Sequence, residues 1–144
     1  MPLSLANLLK VGRLKEHRAD AREIDRLLAA AERSLADARS KAISAETRFD
    51  AAYRAVMQSG LAALMAQGYR PDTNQPGHHV TVIQTLPLTL GIDNKRMVVL
   101  DTLRRKRNLA DYGGEDIDDA SVAACIEEAE KLLRDARARL GKGK

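Results

Sequence analysis

"HHVTVIQTLPLTLG", His78 to Gly91, is the stretch on which the fold class turns, because its residues admit two readings. Its β-branched residues suit a strand. Yet His79, Val82, Ile83, Leu86 and Leu90 also share one face of a helix. No partner strand is evident elsewhere, and a lone strand would leave its backbone groups unsatisfied. A short helix interrupted around Pro87 is therefore expected, and with it an all-α protein.

The flanking sequence supports that reading. Upstream, Ile24, Leu27, Leu28, Ala31, Leu35, Ala38 and Ala42 recur at helical spacing behind Asp20, a capping residue. Arg22, Glu23, Arg26 and Arg33 occupy the opposite face, which makes an amphipathic helix of about six turns. Ser44 can cap a second long helix with Glu46 in its first turn, where a negative charge suits the helix dipole. Its stripe is Phe49, Tyr53, Val56, Met57, Gly60 and Leu64, widened by Leu61 and Met65, and Gly60 offers room for a close helix approach. The helix ends near Gly68, ahead of a loop over Tyr69–Gly77. Asp93 caps a third helix that runs to about Ala110. Ser121, or an aspartate before it, opens a fourth that runs to about Leu140 and buries Val122, Ile126, Ala129, Leu132, Leu133 and Ala136. Leu3–Leu9 reads as a brief helix. The expectation is one domain over residues 1–140, an antiparallel up-and-down four-helix bundle with one or two short accessory helices, followed by a disordered tail over 141–144.

Composition agrees with closely packed helices. The chain has 144 residues, 44% apolar but only 3% aromatic, so the core must be built from Ala, Leu, Val, Ile and Met. The net charge of +4 is too mild for an extended nucleic-acid groove. The basic stretch Asp93–Arg107 is answered by five acids over Asp111–Asp119. The single cysteine, Cys125, excludes an internal disulfide and reads as a small buried hydrophobe in a reducing compartment. The start lacks the pattern of a secretory signal. The uncharged stretch Thr73–Ile92 contains two prolines, two glycines and two histidines, so no membrane span is expected, and the expected location is cytoplasmic.

Most standard sites are missing. There is no phosphate-binding loop or dinucleotide fingerprint. Cys125 has no evident histidine partner. His78 and His79 are adjacent and cannot present both rings on one face of an element, so they read as loop anchors or a helix start. The Glu-x-x-His repeats of di-metal bundles do not occur. Neither a cofactor nor a metal is expected.

What remains is "RRKRNLADYGG", Arg104 to Gly114. Val99, Leu100, Leu103 and Ala110 set the apolar arc of the third long helix. Arg107 falls inside that arc, Lys106 at its edge, and Arg104 and Arg105 point away. An inward guanidinium needs an acceptor or a wet cleft. One account is structural: Arg107 pairs with Asp111, Tyr112 lays its ring over the bundle end, and Gly113 closes the helix with a left-handed cap. The other is a phosphate site.

The string Arg107-Asn108-Leu109-Ala110-Asp111-Tyr112, on this whole-chain plan of helices, resembles the HEPN superfamily of small helical domains found in nucleotide-binding and RNA-cleaving systems. The family signature is an arginine, usually a polar residue next, then a histidine four to six residues after the arginine. One branch ends in Ala-Asp-Tyr-Gly, as Ala110–Gly113 do here. The resemblance implies a homodimer with both motifs at a shared cleft. There Arg107 would bind the phosphate of RNA or a nucleotide, with Lys106, Asn108 and Asp111 beside it. Tyr112 stands at the histidine position, and Arg107 and Tyr112 would be the catalytic pair of an active member. A phenol is a poor general base near neutrality, so the resemblance implies binding more than cleavage. It also implies a nucleotidyltransferase partner in a toxin-antitoxin-like module, with Tyr112 as a candidate acceptor of a nucleotidyl group. Two other readings are a metal-independent endoribonuclease in which His78 or His79 replaces the histidine, and a plain protein-interaction bundle.

Overall fold

The computed structural model describes residues 3–140, so the tail expected over 141–144 lies outside the described residues. Seven helices and two short strands follow in order: α1 (Leu5–Lys10), β1 (Leu14–Glu16), α2 (Ala21–Arg39), α3 (Ala45–Ala66), β2 (Tyr69–Pro71), α4 (His78–Gln84), α5 (Leu86–Thr89), α6 (Asn94–Gly113) and α7 (Asp119–Leu140). The chain is predominantly helical. The deciding stretch is α4 followed by α5, split where Pro87 has no N–H to give. Thr85 bridges the break, its hydroxyl donating to the Val82 carbonyl at 2.7 Å. Val82, Ile83, Leu86 and Leu90 are buried together, as their common face requires.

The capping residues act as expected. Asp20 accepts from the Glu23 N–H at 2.9 Å, Ser44 from Thr47 at 3.1 Å and Asp93 from Arg96 at 2.9 Å. Asp118 accepts from Ser121 at 3.1 Å and so opens α7. α2 stops at Arg39, which leaves Ala42 exposed beyond its stripe.

α2, α3 and α7 build the core. Ala31, Ala55, Ala62, Ala63, Ala129 and Ala136 lie buried between Leu28, Leu35, Leu86, Leu100 and Leu132. Small side chains at the contacts let the helix backbones approach, which explains a core almost without rings. The second face of α3 is buried through Ala62 and Ala63, while Leu61 and Met65 are only half-buried. Gly60 does make the close approach: a Cβ there would lie 2.9 Å from Val82 Cγ1 and 3.4 Å from Leu86 Cδ2. Val82 is β-branched and has little rotamer freedom within α4. Overpacking of about 1–3 kcal/mol should therefore outweigh the roughly 1 kcal/mol that alanine gains over glycine in a helix. Gly60→Ala is expected to lower the denaturant midpoint, and Val82→Ala should cost less in that background than in wild type.

The strand pair was not expected. β1 and β2 are antiparallel, with Leu14 opposite Pro71, Lys15 opposite Arg70 and Glu16 opposite Tyr69. Three-residue runs carry no alternation to read, so one lay hidden in the charged connection before α2 and the other in the loop expected over Tyr69–Gly77. Flanking bonds from His17 N–H to Gly68 O at 2.8 Å and from Asp72 N–H to Arg13 O at 3.0 Å extend the pairing. Leu14 joins Leu8 and Leu64 in a small separate cluster that ties β1 to α1 and α3.

α6 is held differently from the other long helices. Of its twenty residues only Leu100 and Leu103 are buried. Val99, expected in the apolar arc, is exposed, as are Val98 and Leu109. Polar ties supplement this narrow seam, chiefly Arg96, which reaches Glu128 and Asp135 on α7. No described helix is long and apolar enough to cross a membrane.

Candidate functional site

Arg107 sits on the inner side of α6, its side chain 29% exposed, facing α3. Its Nε donates to Asp50 Oδ1 at 3.3 Å, and its Nη2 lies 3.6 Å from Asp111 Oδ2. The guanidinium carbon stands 5.1 Å from the centre of the Tyr53 ring, a cation–π arrangement. The Tyr53 ring lies 6.0 Å from His79, and His79 meets His78 edge-on at 4.9 Å. Residues from α3, α4 and α6 thus converge at one place.

The helical wheel placed Arg107 and Arg105 correctly but not Arg104. Arg104 is not turned to solvent: its side chain is only 20% exposed and pairs with Asp101 at 3.0 Å. It lies close enough to act electrostatically on Tyr53 and His79. Arg105 is exposed, as expected, and shares Asp101 at 2.9 Å. Tyr112 does not lie over the bundle end but projects outward, 88% exposed. The left-handed cap falls on Gly114, at φ +68°, and Gly113 is still helical, so α6 continues past Ala110 and carries the whole motif. Lys106 is half-buried, and Asn108 is exposed beside Tyr112 on the outer face. The site residues therefore divide between two sides of α6. Arg107, paired with Asp111, faces Asp50, while Asn108 and Tyr112 face solvent.

Two residues of this cluster were not legible as site residues, Asp50 and Tyr53, one helical turn apart on α3. His79 was a candidate in the endoribonuclease reading, but its place beside Tyr53 was not legible. Nothing in the sequence marked Asp50, because Arg54 stands one turn on along α3 as a ready local partner. Glu46 does more than complement the helix dipole, since its Oε2 accepts from the Ile117 N–H at 3.2 Å. That bond ties the segment after the motif to the start of α3.

The electrostatics follow from burial beside fixed positive charge. Burial pushes the Tyr53 phenol up to about 12, only partly opposed by Arg107 and Arg104. Its hydroxyl has no hydrogen-bond partner among the described residues. Burial also lowers the pKa of His79, and His78, Arg107 and Arg104 push it the same way, all favouring the neutral imidazole. Cys125 is buried with its thiol 3.9 Å from the Phe49 carbonyl oxygen, and burial, Glu128 and Asp50 push its pKa up to about 12, far from a reactive thiolate. Among the described residues no group of three or more His, Cys, Asp or Glu side chains is placed to hold a metal ion. Arg107 has five N–H donors, and two of its three nitrogens face carboxylates. Nη1 faces none among the described residues and can reach a further acceptor. The chain matches no model of a known protein family, and no curated protein matches it.

Proposed function

We propose that the end of α6 binds a phosphate group of RNA or of a nucleotide, with Arg107 as its principal contact. One observation carries the reading: a half-exposed guanidinium, preset over Tyr53 by Asp50 and Asp111, with donor capacity left at Nη1. Lys106 and Asn108 flank it, and the exposed Tyr112 hydroxyl suits an acceptor of a nucleotidyl group. With the resemblance to HEPN proteins, the reading extends to an up-and-down bundle of α2, α3, α6 and α7. It includes a cytoplasmic homodimer that joins two α6 ends at a cleft, and a nucleotidyltransferase partner.

A second reading is favoured by His79. A neutral imidazole next to Tyr53, with Arg107 over the same ring, offers a general base and a phosphate-binding cation without a metal. It would make the protein a metal-independent endoribonuclease in which His79 serves in place of Tyr112.

Both readings are tested by incubating the protein with labelled RNA, measuring binding and cleavage together. Arg107→Ala should weaken RNA binding about ten-fold or more, the loss of a charge-assisted contact. Asp50→Asn should strengthen it, because it removes a competing negative charge beside the guanidinium while Oδ1 can still accept from Nε. Cleavage that survives chelators and disappears in His79→Gln would establish the second reading. If neither Arg107→Ala nor Asp50→Asn changes binding, Arg107 is only a structural ion pair and the phosphate site is wrong.

A further inference from the structure

A groove of about 270 Å³ opens between α3, β2 and the start of α4, apart from the motif on α6. Its floor is apolar: Met57, Leu61 and Met65, one turn apart along α3, with Val82 from α4. This is why Leu61 and Met65 stay half-buried although they lie beside the core stripe. The rim has the opposite character. Arg54 and Arg70 stand on it together with His78 and His79, and no carboxylate lines the groove.

Two arginines without a carboxylate partner among the described residues stand over one apolar floor here. Neither makes an ion pair or a side-chain hydrogen bond among the described residues, whereas Arg39, Arg96, Arg104, Arg105, Arg107 and Arg137 all hold carboxylates. The acids closest to them along the chain, Asp72 two residues after Arg70 and Asp50 four before Arg54, are already engaged. Asp72 is paired with Lys15 at 3.9 Å, and Asp50 with Arg107. Two uncompensated guanidiniums above an apolar floor leave a positive rim over a surface that water solvates poorly.

We infer that this groove is a ligand site for a small amphiphilic anion, whose apolar body rests on Met57, Leu61, Met65 and Val82 while its carboxylate or phosphate head meets Arg54 and Arg70. Ligand pockets commonly measure about 300–1,000 Å³, so the body that fits is a single ring or a short aliphatic chain. The two methionines give the floor an adaptable surface, which suits a body of variable shape. Gln58 and Thr73 are the uncharged polar side chains within reach of it. The inference does not depend on Arg107 binding phosphate: His79 borders both places, but the head-group contacts, Arg54 and Arg70, and the apolar floor belong to the groove alone.

The experiment titrates the whole chain, labelled with ¹³C at the methionine methyls, with octanoate, octylammonium or acetate. Met57 and Met65 report on the floor, and Met97, on α6, is the internal control. Octanoate should shift both floor signals saturably and leave Met97 in place. Octylammonium should need about ten-fold more ligand, and acetate should produce no shift. Arg54→Glu and Arg70→Ala should each weaken octanoate about ten-fold, the loss of one charge-assisted contact. Arg54 is exposed, so its replacement leaves folding intact. Equal affinity for octanoate and octylammonium, or octanoate binding that neither variant changes, would overturn the inference.

Discussion

Raising the pH from 9 towards 12 is expected to destabilise the domain strongly, with a loss on the order of 5 kcal/mol that traces to Cys125 and Tyr53. Both groups are neutral when protonated, and both have folded-state pKa values above those of the unfolded chain. Burial is the main cause in each case, lifting the thiol from 9.0 and the phenol from 10.0 to about 12. The unfolded chain therefore releases these protons first as the pH rises. The stabilisation is complete below pH 9 and is lost through the window up to about 12. Since a domain of this size holds about 5–15 kcal/mol in total, such a loss removes about a third or more of its stability. The two residues share one cluster with Phe49, Leu103 and Val122, so their ionisation opens the contact between α3, α6 and α7.

Lysine titration weakens any protein in the same range, so the decisive comparison is with Cys125→Ala/Tyr53→Phe. That double variant should have a much flatter alkaline limb in denaturant titrations between pH 8 and 11. Tyr53→Phe alone should be stabilising at pH 7 by about 1 kcal/mol, because the hydroxyl it removes is buried without a partner. Alkaline limbs that are parallel in wild type and double variant would show that these groups do not govern the transition.

The second large effect is expected at Arg96. Its Nε donates to Glu128 Oε1 at 3.3 Å and its Nη1 to Asp135 Oδ2 at 2.8 Å. Burial works against its charge, but the two carboxylates more than offset it, so its pKa is raised. Glu128 is the vulnerable member, with a side chain only 9% exposed. Arg96→Ala should cost about 2–4 kcal/mol, somewhat below the loss for a fully buried pair, because Lys131 remains 3.8 Å from Glu128. Arg96→Ala/Glu128→Ala should cost clearly less than the sum of the single changes, since the second change removes the stranded carboxylate. Strict additivity in that cycle would refute the argument. α6 is the helix that should loosen, given how few of its side chains reach the core.

The helices were legible because their signals are local. Asp20, Ser44 and Asp93 announce their helices within three residues, and Pro87 announces the break between α4 and α5. The apolar spacing of Val82, Ile83, Leu86 and Leu90 was sufficient to choose helix over strand. β1 and β2 were not legible, since each is defined by the other and the partners are more than fifty residues apart. The wheel for α6 was partly misleading. It assumed a wide apolar arc, whereas burial stops at Leu100 and Leu103, Val99 stays exposed, and Arg104 takes up space near Tyr53. Within the candidate site, the Arg107–Asp111 pair lies one turn apart and could be read. Asp50, Tyr53 and His79 join it only through the docking of three helices, which no spacing within one segment reveals.

The two short strands have a consequence for the order of assembly. They bracket the α2–α3 hairpin, β1 just before it and β2 just after it. In an extended chain, closing so long a loop for three residue pairs would cost more entropy than the pairing returns. Once α2 and α3 have packed antiparallel, the ends of that loop already lie side by side, and the remaining search is short. β1 and β2 act as a latch that forms after the hairpin and locks in its register, at little cost in chain entropy.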